Sequence, residues 1–316
     1  MLEALEAITG LEIVLRVLKG STKFAAKTFL DYFEKPGERR ELIGQLFLDQ
    51  GDFLFHPGTD WRPAPGQNEA PYRGRGYPHE LRALRSFVPF LTETAAYQET
   101  LFFRAEVNPQ SRLVCAGSPK SNPLAGTYLP SFELTEDGAR QQYDTLIRPQ
   151  SLKYLFGEDL TAPRVQVVSM MQPGMAAAKT RKVLLSWKGK DDFKPWQPKG
   201  YGAGEELRRD FLLVSRLPRT SIGGDILILA GGHGAGTEAT RLLLHCLHVK
   251  QLRELVDSLR GKPYYQFVIE VTEVKHPKTG TVPTRIKISE DLPPVPLNVS
   301  AADLLRRAVK GRKVWR

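Results

Sequence analysis

Short apolar runs recur along most of this chain and are separated by segments rich in glycine and proline. Brief runs of Ile, Leu and Val are typical of strands that are buried on both faces of a sheet. The predicted strands span 113–116, 165–169, 182–187, 211–215, 226–230, 265–274 and 284–288. Residues 276–280 separate the last two strands as a hairpin-like turn.

The first part of the chain has helical periodicity, with apolar residues three to four positions apart. These helices are interpreted as packing against the protein's own core, with self-association or a protein partner as the alternative. The predicted helices span 2–18, 22–33, 38–48 and 79–105, and a last helix spans 301–309.

Together these patterns predict an α/β protein with two parts. Residues 1–105 form a helical N-terminal region, in which 56–79 is an irregular linker rich in proline and glycine. Residues 106–316 form a Rossmann-like domain with a mostly parallel sheet, a C-terminal hairpin and a basic tail.

The charge favours acidic partners. The chain has 45 Lys and Arg against 35 Asp and Glu, a formal charge of +10 and a pI near 9.5.

No apolar run approaches the ~18–20 residues that span a bilayer, so no membrane association is expected. Both cysteines, Cys115 and Cys246, lie in apolar contexts, which predicts two buried free thiols and a cytoplasmic protein.

The segment DILILAGGHGAGTEATRLLLHC organises the rest of the prediction. Strand 226–230 runs into four glycines within 231–236, and a helical run follows. This arrangement places backbone N–H groups at the carboxyl edge of a sheet, where anions and nucleotides bind in open α/β folds. Strand 113–116 runs into a similar loop at 117–127, and the two loops form one cleft if the two strands are parallel neighbours.

The cleft is predicted to bind a nucleotide-derived or phosphorylated small molecule, as in a sensor or regulatory module. Neither loop contains the Gly-Lys-Ser/Thr of a Walker A motif, which argues against ATP hydrolysis by that route. The alternative is that the glycines serve only tight strand–helix packing. The candidate ligand-binding residues are Gly117, Ser118, Asn122, Gly231, Gly232, His233, Gly234, Gly236, Thr237 and Glu238.

Three segments in this order, AGSPKSNPLAGTYL, DFLLVSRLPR and ILILAGGHGAGTEAT, resemble a paired-loop, Rossmann-like domain of bacterial regulatory and archaeal surface-layer proteins. That domain has a Gly-Gly-Pro-x-x-Asn loop early and a Gly-x-x-x-x-Gly/Asp-Thr loop late. The resemblance covers about residues 112–245, and the first loop departs from it because it reads Ala-Gly-Ser-Pro. It implies an α/β fold with adjacent loops in a prokaryotic protein, and no particular reaction.

An enzyme is the alternative from another class. His233 in the glycine loop, with Glu205 or Asp210 as a carboxylate partner, has the chemistry for hydrolysis of a nucleotide or NAD-like N-glycosidic bond. His245, Cys246 and His248 lack a second pair of ligands at zinc-like spacing, so no metal site is predicted.

A nucleic-acid-binding subunit is the third alternative. Basic residues occur near tryptophans in the middle of the chain and again at its end, and such a surface neutralises phosphates. A solvated basic surface without a nucleic-acid partner is the other interpretation. The candidate residues are Lys179, Arg181, Lys182, Lys188, Lys190, Arg312 and Lys313.

Overall fold

A computed structural model describes most of the chain from residue 36 onward. The described residues are 36–48, 53–57, 59–60, 75–91, 97–99, 112–168, 174–187, 193–202, 206–220 and 223–299. The helices predicted over 2–18, 22–33 and 301–309 lie outside the described residues.

Seventeen strands are described. They are β1 Phe53–Pro57, β2 Thr59–Asp60, β3 Arg75–Gly76, β4 Tyr97–Glu99, β5 Arg112–Ala116, β6 Ser131–Thr135, β7 Gly138–Gln141, β8 Tyr154–Asp159, β9 Val165–Val168, β10 Ala176–Lys179, β11 Arg181–Trp187, β12 Phe193–Trp196, β13 Asp210–Thr220, β14 Gly223–Gly231, β15 Tyr265–Lys275, β16 Val282–Ile288 and β17 Val295–Pro296.

Five α-helices are described, with short helical turns at Gly44–Leu48, Val88–Phe90 and Pro149–Ser151. The helices are α1 Pro36–Ile43, α2 Pro78–Arg85, α3 Pro123–Tyr128, α4 Gly234–His245 and α5 Val249–Leu259. None of the described helices is long and apolar enough to span a membrane.

The main sheet is mixed, which corrects the prediction of a mostly parallel, Rossmann-like sheet. Its order is β16-β15-β13-β14-β5-β1-β4, and β17 pairs with β15. Strands β4, β1, β5 and β14 are parallel to one another, whereas β13 pairs with β14 in antiparallel fashion, and β15, β16 and β17 continue the sheet with antiparallel pairs. Apolar runs predict burial and not strand direction, so the sequence pattern did not distinguish the two halves.

A second sheet covers one face of the main sheet. Its order is β12-β11-β8-β6-β7, and only β6 and β8 pair in parallel. Two further two-stranded sheets pair β9 with β10 and β2 with β3. The sequence analysis missed β6, β7, β8 and β12, which are short and interrupted by charged residues, glycine or proline.

The result is a three-layer protein in which the main sheet lies between helices and the second sheet. Alternate residues of the central strands enter opposite cores, as the two-residue period of a strand requires. Leu227 and Leu229 pack with residues of α1, α2, α4 and α5 in the helical core. Ile226 and Ile228 pack with residues of α3, β8 and β11 in the other core.

The N-terminal region contributes strands to the main sheet as well as helices. Strand β1 pairs with both β4 and β5. Of the helix predicted over 79–105, α2 confirms the beginning, but the prediction is wrong at 97–99, where β4 lies. The division into 1–105 and 106–316 stays a prediction.

Cys115 is buried, but Cys246 is exposed, which corrects its predicted burial.

Candidate functional site

The two predicted loops lie side by side. Strands β5 and β14 are parallel neighbours, with Leu113 opposite Ile226 and Ala116 opposite Leu229. Immediately after the paired segment, the Gly117 N–H donates a hydrogen bond to the Leu229 carbonyl at 3.0 Å. The prediction that both loops emerge at one sheet edge, given neighbouring parallel strands, is therefore confirmed. We call residues 117–122 the β5 loop and residues 231–236 the β14 turn.

The chain leaves these two strands toward opposite faces of the main sheet. After β5, helix α3 places Ala125 in the core between the two sheets. After β14, helix α4 places Ala239 and Leu243 in the core on the helical face. Adjacent parallel strands whose connections go to opposite faces leave a crevice at their carboxyl ends, and ligands of open α/β sheets bind there.

A buried carboxylate already occupies the amino end of α4. Asp210 at the start of β13 is fully buried, and its Oδ2 accepts the N–H groups of Gly236 at 2.6 Å and His233 at 3.0 Å. The first N–H groups of a helix have no partner within the helix, so a carboxylate is favourable there. Asp210 therefore caps a helix that begins 24 residues later in the chain, at Gly234.

Burial also sets the protonation of Asp210. It raises the pKa of this carboxyl from 3.8 to about 7, while the N–H donors of Phe211, His233 and Gly236 act in the opposite direction. Asp210 thus changes charge near neutral pH.

Two glycines of the β14 turn are required by close approach. A Cβ atom on Gly236 would lie 2.1 Å from the Phe211 carbonyl oxygen, and a Cβ atom on Gly231 would lie 2.0 Å from the Thr237 nitrogen. Such contacts exclude any side chain at these positions. These glycines therefore serve compact packing of strand on helix, which was the alternative to ligand binding.

His233 lies half-buried at the turn, on the side of the second sheet. Its ring centroid is 5.9 Å from that of Tyr201, and its Nε2 has no hydrogen-bond partner among the described residues. Burial, with smaller contributions from Lys182 and Lys179, lowers the pKa of His233 to about 3. At neutral pH this imidazole is uncharged, so it offers a hydrogen bond and not a positive charge.

The β5 loop begins with a glycine in a left-handed conformation, since Gly117 has φ of 111°. The loop then folds on itself, and the N–H groups of Ser121 and Asn122 donate to the Ser118 carbonyl at 3.0 and 2.9 Å. The N–H groups of Ser118 and Lys120 have no partner among the described residues. This loop thus has two backbone donors that the described part of the fold does not use.

Asn122, a predicted ligand-binding residue, is fully buried and used within the fold. Its Oδ1 accepts the N–H groups of Leu124 and Ala125, which caps α3. Its Nδ2 donates to the carbonyls of His56 at 3.0 Å and Ala116 at 2.9 Å. Asn122 therefore ties the ends of β1 and β5 together.

Three charged residues lie beside the β5 loop on the side of the second sheet. Lys120 donates to Glu158 of β8 at 3.0 Å, and Lys182 of β11 donates to the other oxygen of the same carboxylate. The Glu158 side chain is 2% exposed, that of Lys182 is 12% exposed and that of Lys120 is 56% exposed. Although burial alone raises the pKa of Glu158, the two lysines lower it below its ordinary value.

The first turn of α2 lies against both loops from the helical face. A Cβ atom on Gly117 would meet the Glu80 carboxylate, and one on Gly234 would lie 2.9 Å from His79 Nδ1. The Ser121 hydroxyl donates to Glu80 Oε1 at 3.0 Å. Burial lowers the pKa of His79 to about 4, so this ring is also neutral at neutral pH.

Sequence analysis did not identify His79 and Glu80 as site residues. The available signal was a pair of titratable residues directly after Pro78, which is a favoured first residue of a helix. Such a pair becomes informative only once α2 is known to lie across the two loops.

Glu238, another candidate, points away from the turn toward α2. It is buried, and its Oε1 lies 3.6 Å from Arg82 and 4.0 Å from Arg241, while Oε2 has no hydrogen-bond partner among the described residues. Burial raises its pKa, and the two arginines act against that shift. Thr237 is also buried, and its N–H donates to the His233 carbonyl at 3.2 Å.

The structure brings the basic candidates together only in part. Lys182 is bound to Glu158, and Arg181 donates to the carbonyls of Pro163 and Gly202. Lys179 is exposed. The candidates Glu205, Lys188, Lys190, Arg312 and Lys313 lie outside the described residues.

The histidines considered for metal binding serve structural contacts. His245 Nε2 lies 3.0 Å from the Ser86 carbonyl, and His248 Nδ1 accepts the Lys250 N–H at the start of α5. Within the described ranges, no group of three or more His, Cys, Asp or Glu side chains is arranged to hold a metal ion.

Comparison with known proteins gave no relative, because no family model, curated protein or solved structure matches the chain.

Proposed function

We propose that this protein binds a nucleotide-derived or phosphorylated small molecule in the crevice between the β5 loop and the β14 turn, as a sensor or regulatory module. The observation that carries the proposal is the divergence of α3 and α4 to opposite faces directly after two adjacent parallel strands. This is the position at which open α/β sheets bind such ligands. The free thiols fit a cytoplasmic setting, which is part of the proposal.

The polar groups around the crevice fit a ligand with both neutral and anionic parts. The β5 loop offers the N–H groups of Ser118 and Lys120 and an exposed lysine side chain. After the other strand, His233 has an uncharged ring whose Nε2 is buried and lacks a partner among the described residues, so the ring would have to turn toward a ligand to bond it. A neutral imidazole suits hydrogen bonding to the base or sugar of a nucleotide.

The two alternatives receive less support from the same geometry. As a catalytic carboxylate, Asp210 would need an accessible oxygen, but it is fully buried and bonded to backbone N–H groups. As a nucleic-acid contact, Lys182 would need to leave a buried partner, Glu158. Ligand binding without chemistry is therefore the function that we propose.

A thermal-shift screen of the full chain against nucleotides, NAD, ADP-ribose and cyclic oligonucleotides tests this proposal. Each mixture is then analysed by mass spectrometry. We expect a rise in melting temperature with at least one ligand, and we expect that ligand to be recovered unchanged. A consumed ligand would establish an enzyme instead, and the absence of any shift would contradict the proposal.

The position of the site is tested with Gly234→Val. The new side chain would extend toward His79 and fill the helical side of the crevice. Gly37→Val is the matched control, because Gly37 lies in the first turn of α1 with no atom within 4 Å of its Cβ position. We expect the first variant to lose the shift and the second to keep it.

A further inference from the structure

We propose that the phosphoryl group of the ligand binds at the β5 loop, with the Lys120 ammonium as its cationic contact, and not at the amino end of α4. This inference rests on the proposed function and names the atoms that hold the anion. It differs from the sequence-based expectation, in which the glycine N–H groups of the two loops hold the anionic part.

The amino end of α4 is unsuited to a second anion because Asp210 is already there. Its carboxylate accepts N–H groups from His233 and Gly236 and is buried within the fold. A phosphoryl group next to it would compete for the same donors. Whenever Asp210 is ionised, the phosphoryl group would also lie close to a like charge in a region of low dielectric constant, where repulsion is strong.

The β5 loop offers donors that the fold does not use. The N–H groups of Ser118 and Lys120 lack partners among the described residues, whereas the partly buried Ser118 hydroxyl is already hydrogen-bonded to Ser121. Pro119 between them has no N–H, so the loop offers two separate backbone donors, and backbone N–H groups of turns bind phosphate oxygens.

The charges around this loop favour an anion on one side of it only. On the helical side, the Glu80 carboxylate accepts the Ser121 hydroxyl at 3.0 Å and would repel an anion. On the side of the second sheet, Lys120 and Lys182 share the single carboxylate of Glu158, so two positive charges face one negative charge. The phosphoryl group therefore belongs on the second-sheet side.

Of the two lysines, Lys120 is the one that can move to the ligand. Its side chain is 56% exposed, whereas that of Lys182 is 12% exposed and stays with Glu158. When Lys120 turns to a phosphoryl oxygen, Glu158 keeps one buried cationic partner. A lysine binds phosphate as a compact point charge on a flexible stem, so this exchange needs no change in the backbone.

The test measures binding of pyrophosphate, AMP and adenosine to the full chain by titration calorimetry at low salt. Lys120→Gln is compared with the wild type and with Lys153→Gln, which removes the same charge at an exposed residue directly before β8. We expect Lys120→Gln to weaken pyrophosphate and AMP binding about 10-fold or more, as for loss of a charged hydrogen bond, and to leave adenosine unchanged.

A second variant is expected to raise the affinity for pyrophosphate. Glu158→Gln removes the carboxylate that competes with the ligand for Lys120, so pyrophosphate binding should become several-fold tighter in samples whose melting curve shows a folded protein. Equal pyrophosphate affinity in Lys120→Gln and Lys153→Gln would overturn the inference. So would malonate binding as tightly as pyrophosphate, since that would indicate a site for any anion.

Failure of this inference is distinguishable from failure of the proposed function. If wild type binds AMP or adenosine, Gly234→Val abolishes that binding and Lys120→Gln changes nothing, the crevice is a ligand site with its anion held elsewhere. If the wild-type protein binds none of the three probes and no ligand of the thermal-shift screen, both proposals are wrong.

Discussion

The Gly236 N–H donates a hydrogen bond to the Asp210 carboxylate at 2.6 Å, and a Cβ atom on Gly236 would lie 3.0 Å from the same oxygen. The contact joins the first residue of β13 to the first turn of α4, across two antiparallel strands. A glycine turn that would bind a free anion in another α/β protein here binds a carboxylate of its own chain. Because this carboxylate occupies the β14 turn, the β5 loop is the better place for the anionic part of a ligand.

Replacement of Asp210 by alanine should destabilise the fold. The variant leaves the N–H groups of His233 and Gly236 without an acceptor in a buried site. From the cost of a lost helix cap and of unsatisfied buried donors, we expect a loss of about 2–4 kcal/mol in the free energy of unfolding at pH 7. Urea denaturation followed by circular dichroism measures it.

Asp210→Asn should lose less, because its side-chain oxygen still accepts one of these N–H groups. Asp137→Asn is the control, since Asp137 is exposed in the turn between β6 and β7 and should change the stability by no more than about 0.5 kcal/mol. If Asp210→Ala were as stable as this control, the capping role of Asp210 would be refuted.

The protonation of Asp210 predicts a particular dependence of stability on pH. Because its pKa rises from 3.8 to about 7 on folding, the folded protein binds a proton between these values that the unfolded chain has released. The resulting stabilisation is complete below about pH 3.8 and is lost as the pH rises through about 7. The difference in unfolding free energy between wild type and Asp210→Asn should therefore shrink between pH 5 and pH 8, as measured by urea titrations. A difference that stays constant over this range would indicate an Asp210 that is ionised throughout.

The sequence predicted the two central strands and the position of their loops better than the surrounding fold. Continuous apolar runs followed by Gly117 and Gly231 identified β5, β14 and their loops. A strand that is buried on both faces needs a continuous apolar run, and glycine is needed for the positive φ of Gly117 and for the close packing at Gly231. The direction of β13 and β15 was not predictable from those runs. Of the second sheet, β11 was predicted and the other strands were missed. Strand β8, for example, ends in Gly-Glu-Asp, a sequence typical of a turn, although Glu158 is paired with two lysines.

The partners of the site residues were the least predictable feature. From the sequence, Asp210 is a candidate catalytic carboxylate because of its charge. Its role as a helix cap depends on the pairing of β13 with β14, which the sequence pattern does not predict. Likewise, His79 and Glu80 reach the crevice only because α2 packs across α4. Each of these contacts joins residues distant in sequence, and local periodicity contains no information about them.

His233 should stay neutral well below the ordinary pKa of histidine. Burial lowers its pKa from 6.5 to about 3, so the folded protein binds fewer protons at this residue than the unfolded chain between these values. This contribution to stability is present above about pH 6.5 and is lost as the pH falls toward 3. Nitrogen-15 spectra of the imidazole, recorded from pH 7 to pH 4, should show no titration of His233 in the native protein. The urea-unfolded protein is the control and should titrate near the ordinary value, about 6.5. A native midpoint near 6 would mean that the ring is open to water.

Two glycines of the β14 turn should respond very differently to the same substitution. In Gly236→Ala the new methyl group would lie 2.1 Å from the backbone carbonyl of Phe211, which cannot move without breaking β13 from its neighbours. We expect a loss of about 3 kcal/mol or more in the free energy of unfolding, or no folded protein. In Gly234→Ala the methyl group meets the end of the His79 side chain at 2.9 Å, which can shift, and alanine favours the helix by about 1 kcal/mol over glycine. This variant should therefore remain within about 1 kcal/mol of the wild type in urea denaturation. Comparable losses in both variants would show that Gly234, like Gly236, is required by packing, and the helical side of the crevice would then be closed to a ligand.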